Sequence, residues 1–147
     1  MTSTPEQPTD QPLFTRTVHL TRGDLRRYAE ASGDHNPIHV DDAAAQAVGL
    51  PGVVAHGMLT LGLAMSAVAE WAGSPDALVE FGGRFVKPVP VDADTGADLQ
   101  ITAASAGRTD DGDTRVEVTV RCAGTKVLGM AKALVRTTTA GADGQRR

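Results

Sequence analysis

The stretch from Gly57 to Trp71 constrains the fold of this chain more than any other segment. It carries one charged residue, Glu70, and its apolar residues cover nearly every side of a helix drawn through it. A helix that is apolar all round is buried on most of its circumference. We therefore predict a long central helix from Gly57 to about Trp71, enclosed by the rest of the fold.

After this helix the hydrophobic period changes to two, which is typical of strands. Apolar or small residues occupy every second position in the set Val79, Phe81, Gly83 and Phe85. Similar runs, separated by turn residues, predict further strands at about 97–106, 114–122 and 126–137.

The residues before the central helix predict one strand and two helices. Phe14 to Leu20 alternates apolar and polar residues, as a strand does. Thr21 is the expected N-cap of a helix that stops near Gly33, a plausible glycine just past a helix end. Asp41 and Asp42 begin a short Ala-rich helix, where their carboxylates suit the positive end of the helix dipole.

The separation of helices from strands along the chain indicates an α+β fold. We predict an antiparallel sheet wrapped around the long central helix, which leaves a sheet face or edge for a partner subunit. The length of 147 residues suits one domain. We expect that domain at residues 13–137, between a flexible N-terminal tail at 1–12 and a flexible C-terminal tail at 138–147, because these ends cannot bury apolar surface.

Charge, cysteine content and missing motifs exclude several classes of function. The net charge is −4 without a basic face, which argues against nucleic-acid binding. Cys122 is the only cysteine, which rules out an internal disulfide or a Cys-rich zinc site and suits a reducing cytoplasm. No window reaches the uncharged apolar length of about 20 residues that spans a bilayer, and the first eight residues lack the parts of a signal peptide. We expect a cytoplasmic protein without a membrane contact and, since no glycine-rich phosphate motif occurs, without a nucleotide or redox cofactor.

The densest polar cluster runs from Ser32 to His39. Pro37 lacks an N–H and disfavours helical backbone at the residue before it, so we expect this segment to be non-helical. His35 and His39 have the i, i+4 spacing of a helical zinc pair, but Pro37 between them should keep them off one helical face. We therefore expect no metal site here.

Two parts of the sequence suggest chemistry but also have a purely structural interpretation. By spacing alone, Asp34 and Asn36 are consistent with ordinary Asx turns whose side chains are solvated. Gly57 stands where the central helix begins, where the first N–H groups lack internal partners and point along the positive end of the dipole. A glycine there lets a ligand oxygen approach, as an oxyanion site for a thioester carbonyl requires. Alternatively, Gly57 is only a start signal for the helix.

Together, these segments resemble the MaoC-like family, the hot-dog-fold (R)-specific enoyl-CoA hydratases and 3-hydroxyacyl-ACP dehydratases. The family pattern Asp-x-Asn-Pro-x-His, followed by His-Gly-Met, is matched in full by residues 34–39 and 56–58. The resemblance spans about Phe14 to Val135 and looks closest to the HadB-type subunits of mycobacterial and related actinobacterial dehydratases. It implies a hot-dog fold.

The resemblance also assigns roles to individual residues. Asp34 and His39 would be the catalytic acid–base pair, and Asn36 would orient their loop. The N–H of Gly57 would bind the thioester oxygen. His56 would hydrogen-bond within the start of the helix or touch the substrate, and Met58 would line an acyl channel or pack in the core.

The chemistry of dehydration requires such a pair, since a proton leaves C2 and another is given to the departing C3 hydroxyl. A free histidine titrates at about pH 6.5 and a free aspartate at about 3.9. His39 is therefore the natural base toward C2, and Asp34 would serve the hydroxyl or water in a dry acyl tunnel.

Some positions depart from the family or have no assigned role. Related hydratases carry a serine further along the central helix, where this chain has Met65 with Ser66 one position on. Four basic residues have two interpretations. They form a basic entrance that would bind a CoA phosphate or the acidic surface of a carrier protein, or they are scattered solvated charges: Arg84, Lys87, Arg121 and Lys126.

The function implied by the resemblance is a hydro-lyase that interconverts (3R)-hydroxyacyl and trans-2-enoyl thioesters of CoA or acyl carrier protein. Hot-dog domains pair through their sheets, so a homodimer or a heterodimer with a homologous hot-dog subunit is expected. One alternative is a hot-dog thioesterase, which needs a carboxylate on the central helix, where only Glu70 is available. The other is a non-catalytic, acyl-binding subunit of a heterodimeric dehydratase.

Overall fold

The computed structural model describes residues 11–136 of the chain. Two 3₁₀ turns, at Pro37–His39 and Pro75–Ala77, accompany eight longer elements. In chain order these elements are β1 (Phe14–Leu20), α1 (Arg22–Ser32), α2 (Asp42–Ala47), α3 (Gly57–Ala72), β2 (Leu78–Phe85), β3 (Ala97–Arg108), β4 (Thr114–Cys122) and β5 (Thr125–Val135). The predicted tails lie outside the described residues, apart from residues 11 and 12, so the domain bounds of 13–137 stay a prediction.

The five strands form one sheet in the order β1-β3-β4-β5-β2, and all neighbouring strands are antiparallel. The helix α3 packs on one face of this sheet and touches both edge strands, β1 and β2. The inward side chains of α3, including Ala64 and Val68, join strand residues such as Ile101 and Val118 in one apolar core. The predicted α+β hot-dog architecture is confirmed.

The caps of α1 form as predicted. The Thr21 hydroxyl accepts a hydrogen bond from the Asp24 N–H at 3.2 Å, and the Asp24 carboxylate accepts one from the Thr21 N–H at 2.8 Å. At the other end, Gly33 has a left-handed backbone with φ of 77°. This conformation is nearly free of strain only for glycine, so the chain leaves the helix sharply and begins the polar cluster.

The second short helix also starts where predicted, but its two carboxylates act differently. Asp41 caps α2 by accepting a hydrogen bond from the Ala43 N–H at 2.9 Å. Asp42 instead receives two hydrogen bonds from the Arg22 guanidinium, at 2.8 and 2.9 Å, and a third from the Val53 N–H. These bonds lower the pKa of Asp42, the guanidinium most of all. They also fasten the start of α1 to the segment that leads into α3.

The prediction that the central helix is enclosed on nearly every side is wrong for the single chain. Only four of its residues are buried: Thr60, Ala64, Ala67 and Val68. Met58 is 59% exposed and Met65 is 44% exposed. The reason is geometric, because one five-stranded sheet covers one side of a helix and leaves the opposite apolar side open.

The edge strand β2 is irregular. Its pairing with β5 shifts register between Leu78 and Glu80 and again between Gly82 and Arg84. As a result the regular alternation in the sequence does not sort side chains into inner and outer faces, and Phe85 at its end is 55% exposed. Among the described residues, no helix combines the length and apolarity needed to cross a membrane.

Candidate active site

The polar loop after α1 is shaped by its own side chains. The Asp34 carboxylate accepts a hydrogen bond from the Asn36 N–H at 3.1 Å, and the Asn36 side chain accepts one from the Ile38 N–H at 3.2 Å. A single 3₁₀ turn follows from Pro37 to His39. The expectation of a non-helical segment is therefore wrong over these three residues. Pro37 occupies the first position of the turn, where a missing N–H costs nothing.

This turn separates the two histidines of the loop. His35 is exposed, whereas His39 points inward and is only 7% exposed. The Nδ1 atom of His39 lies 2.7 Å from the carbonyl oxygen of Val54. A carbonyl can only accept, so Nδ1 carries the proton and Nε2 is left with a free lone pair. The Nε2 atom faces Asp34 and lies 3.9 Å from the Oδ2 atom of its carboxylate.

Asp34 is less sheltered than the sequence predicts. Its side chain is 51% exposed, so the expectation of a dry tunnel around this carboxylate is wrong for the single chain. The physical reason is that the polar loop lies at the surface, where residues 33–37 are all exposed. The Asn36 side chain contacts the loop backbone, and its role in orienting the loop stays a prediction.

His56 is the most buried polar side chain of the site, at 1% exposure. Its Nε2 donates a hydrogen bond to the main-chain carbonyl of Asp34 at 3.2 Å, and its ring stacks on that of His39. The ring of Tyr28 meets it edge-on, with centroids 4.8 Å apart. Burial lowers the pKa of His56, so the ring is neutral at pH 7. The expected hydrogen bond within the start of the helix is replaced by one to the polar loop.

The helix α3 begins at Gly57, as the sequence predicts, and the role of its first N–H groups as donors to a ligand stays a prediction. The N–H groups of Leu59 and Thr60 both bond to the carbonyl of His56, at 3.1 and 3.2 Å. The N–H of Gly57 precedes these first helical bonds and has no partner within the helix. The ring of Phe85 lies against Gly57, because a Cβ at residue 57 would be 3.1 Å from it. A side chain at this position would thus displace the ring.

Gly57 and His39 both line a cavity of about 390 Å³. Its wall is mostly apolar, and the cavity is lined by Ile38, His39, Leu50, Val54, Ala55, Gly57, Thr60, Phe85, Val86, Lys87, Pro88, Val89, Val127 and Leu128. Of the predicted site residues, Met58 lies apart from this wall, since its side chain points into solvent. Asp34 and Asn36 stand beside the cavity on the polar loop rather than in its lining.

The sequence interpretation missed two wall residues, Thr60 and Phe85. The sequence does contain a signal for Thr60, since a hydroxyl that is buried in a mostly apolar helix needs a hydrogen-bond partner. The sequence contains no such signal for Phe85, because the direction of its ring depends on the register shifts of β2.

Three groups that can bind metals lie close together at the site. Ligand atoms of Asp34, His39 and His56 lie within 4.8 Å of one another. His35, the partner in the zinc pair considered from the sequence, is not part of this group. One nitrogen of each buried ring is already engaged with a backbone carbonyl, which leaves Nε2 of His39, facing Asp34, and Nδ1 of His56, which is buried without a partner among the described residues. This arrangement suits proton transfer, and the prediction that no metal is bound stays a prediction.

The sequence profile described as "MaoC like domain" matches residues 3–122 of this chain. The 3-hydroxyacyl-thioester dehydratase X of Mycobacterium tuberculosis is 39% identical over 92 residues, covering 63% of this chain and 32% of that protein. The 3-hydroxyacyl-thioester dehydratase Z of the same species is 32% identical over 120 residues, covering 78% of this chain and 76% of that protein.

Solved structures agree with these relatives. A MaoC-like dehydratase superposes with a TM-score of 0.84 at 37% identity, over 87% of this chain and 40% of that one. The R-hydratase PhaJ1 of Pseudomonas aeruginosa superposes with a TM-score of 0.71 at 27% identity, over 84% of this chain and 78% of that one. The chain spans only about a third of dehydratase X and two fifths of the first superposed chain. Because the profile match extends over most of the sequence and the fold agrees with it, this protein belongs to the MaoC-like domain family.

Proposed function

We propose that this protein is a hydro-lyase that interconverts (3R)-hydroxyacyl and trans-2-enoyl thioesters of CoA or acyl carrier protein. The observation that carries the proposal is the state of His39. The Val54 carbonyl holds its proton on Nδ1, so a free lone pair on Nε2 faces Asp34 beside a largely apolar cavity. A base, an acid and an acyl-sized space thus meet at one place.

In the dehydration direction, Nε2 of His39 takes the proton from C2 of the 3-hydroxyacyl thioester. The C–H electrons move into the thioester, whose oxygen becomes an enolate. The enolate then expels the C3 hydroxyl, which the Asp34 carboxylate holds by a hydrogen bond. The hydroxyl takes the proton that His39 removed from C2 and leaves as water, so both side chains return to their starting state. Hydration follows the same steps in reverse.

The enolate oxygen needs donors that are in place before the reaction starts. The N–H of Gly57 meets this need, because it opens α3 at the positive end of the dipole and lines the cavity. A fixed amide stabilises the developing charge without having to reorient.

The names of the relatives support the same reaction class. Besides the two mycobacterial dehydratases, a segment of 60 residues is 40% identical to a protein named enoyl-CoA hydratase 2, peroxisomal, of Arabidopsis thaliana. These names cover both directions of one reaction.

The thioesterase alternative finds no support at the cavity. Glu70, the carboxylate that it requires, forms an ion pair with Arg16 at 2.6 Å near the far end of α3. That position is remote from Gly57 and His39, so Glu70 cannot activate water at a thioester bound there.

We also propose that a second hot-dog domain, in another copy or in a homologous subunit, covers the open side of α3. Met58 and Met65 are seven residues apart and form one exposed apolar stripe with the half-buried Leu61 between them. A stripe of this kind is costly in water. Such a partner would also reduce the exposure of Asp34. The cytoplasmic location expected from the single cysteine stays a prediction.

The experiment that tests the function follows the loss of enone absorbance when the purified protein is incubated with trans-2-enoyl-CoAs of increasing chain length. We expect turnover that produces the (3R)-hydroxyacyl product. An absence of turnover at every length, also in the presence of a homologous hot-dog subunit, would refute the proposal. If turnover requires a homologous hot-dog subunit and the activity of that complex persists unchanged in both Asp34→Asn and His39→Ala, this chain is instead the non-catalytic partner.

A further inference from the structure

Thr60 lines the cavity and carries a hydroxyl group that is buried in the protein. The residue is 3% exposed, and its Oγ1 has no hydrogen-bond partner among residues 11–136. It is the only hydroxyl-bearing residue in the described lining of the cavity. Burying a hydroxyl without a partner is unfavourable, so this group needs a role that offsets the cost.

The usual partner of a threonine in a helix is the carbonyl four residues earlier. For Thr60 this is the carbonyl of His56, which already accepts from the N–H groups of Leu59 and Thr60 itself. The hydroxyl makes no third bond to it. Its proton is thus available to a ligand in the cavity.

The position of Thr60 on α3 directs this hydroxyl toward Gly57. Residues three apart lie on the same face of a helix, and a helical side chain leans over the turn that precedes it. Thr60 therefore leans over the turn that begins with Gly57, which itself has no side chain to intervene. Both residues line the same cavity.

We propose that the Thr60 hydroxyl is a second donor to the thioester oxygen, acting together with the N–H of Gly57. This inference rests on the proposed hydro-lyase function. A carbonyl oxygen can accept two hydrogen bonds, and an enolate oxygen gains more from them because it carries charge. The hydroxyl thus acts most strongly in the transition state, and Thr60 is a catalytic residue in addition to Asp34 and His39.

The test compares Thr60→Val, which keeps the shape and removes the hydroxyl, with Thr60→Ser, which keeps the hydroxyl. We expect kcat to fall by about 10²–10³-fold in the valine variant, as for the loss of one oxyanion donor, with a much smaller change in KM. The serine variant should retain most of the activity. Thr119→Val on β4 is the matched control, since Thr119 is half-buried and lies away from the cavity.

A spectroscopic measurement separates hydrogen bonding from packing. The carbonyl stretch of a bound enoyl thioester labelled with ¹³C at C1 should move to lower wavenumber in the wild type and in Thr60→Ser. In Thr60→Val the frequency of this stretch should be higher than in the wild type, because the carbonyl then has one hydrogen-bond donor fewer. A purely structural role for Thr60 would leave this frequency unchanged.

The outcomes distinguish this inference from the function on which it rests. A wild-type protein without hydratase turnover would overturn both. An active wild type with an equally active Thr60→Val variant, or with an unchanged carbonyl frequency, would overturn the role of Thr60 alone. If Thr60→Val loses activity but Thr60→Ser loses as much, the hydroxyl is not the cause and the inference also fails.

Discussion

The imidazole rings of His39 and His56 stack with their centroids 3.8 Å apart and their planes inclined by 24°. Each ring is tied to a backbone carbonyl, His39 to Val54 and His56 to Asp34. Two protonated rings at this distance would repel each other strongly. Because burial lowers the pKa of His56, this ring stays neutral, and only His39 has to change charge during the reaction. We therefore expect His56 to position both members of the proposed pair, since it contacts His39 through its ring and Asp34 through a hydrogen bond.

The first prediction concerns the proposed acid–base pair. Replacing Asp34 by Asn or His39 by Ala should reduce kcat by about 10²–10⁴-fold, the usual contribution of a positioned acid or base. Steady-state hydration of trans-2-enoyl-CoA measures the loss. His35→Ala is the matched control, since His35 is in the same loop but exposed. An equal loss in His35→Ala would mean that the loop, and not the pair, is responsible.

The second prediction concerns stability against pH. The pKa of His56 lies below its ordinary value of 6.5, chiefly because of burial, and the neighbouring His39 lowers it further, whereas the backbone carbonyl and the charge of Asp34 raise it. The unfolded chain therefore binds a proton at His56 before the folded protein does. The stability should be complete above about pH 6.5 and fall as the pH drops below this value.

Urea unfolding followed between pH 7 and pH 5 measures this effect. The midpoint of the wild type should fall over this interval, whereas the midpoint of His56→Gln should change less. His35→Gln, which removes an exposed ring, should keep the pH dependence of the wild type. An identical slope in the wild type and His56→Gln would contradict the assignment. Asp24, Asp42 and Asp92 have a lowered pKa, so their contributions are lost only below their ordinary value of 3.8.

The third prediction concerns the contact between Gly57 and Phe85. A methyl group at residue 57 would lie 3.1–3.2 Å from three ring carbons of Phe85, so in Gly57→Ala the ring must shift by a few tenths of an ångström. We expect kcat/KM to fall by about 10²-fold, as for a small misplacement at a reacting centre. The thermal midpoint should change little, since alanine favours helix and the ring is half exposed.

Two controls sharpen this measurement. Gly62→Ala adds the same methyl group to α3 at a position where, apart from the adjoining helix, no atom of residues 11–136 lies within 4 Å, and it should keep full activity. In a Phe85→Leu background, Gly57→Ala should cost less than in the wild type, because the crowded ring is gone. Equal costs in both backgrounds would show that the methyl group does not act through Phe85.

The fourth prediction concerns the open apolar side of α3. Met65→Glu places a charge in the stripe that we assign to a second hot-dog domain, so it should weaken association by an amount visible in sedimentation velocity. Val48→Glu is the control, since Val48 is 67% exposed and follows α2 rather than lying on α3. A wild type that sediments as a monomer at every concentration, with full activity, would contradict the prediction.

Much of the fold follows from local features of the sequence. The ends of α1 were predictable because Thr21, Asp24 and Gly33 act on backbone groups within four residues of themselves. The strands from Ala97 onward were predictable because apolar residues recur at every second position, as they do in a strand that buries one face of a sheet. The extent to which α3 is buried was not predictable, since the same apolar pattern describes a helix enclosed by one chain and a helix enclosed by two.

The sequence by itself determined the elements and the identity of the polar residues that approach the start of α3, because these depend on short-range periodicity, capping and a recognisable motif. Only the tertiary structure decided which nitrogen of His39 is free, that His56 contacts both members of the proposed pair, and that Thr60 lines the cavity with a hydroxyl that has no partner among residues 11–136. The physical reason is distance along the chain. His39 and Val54 are 15 residues apart, and Asp34 and His56 are 22 apart. Contacts between such residues exist only once the sheet has brought α3 and the polar loop together.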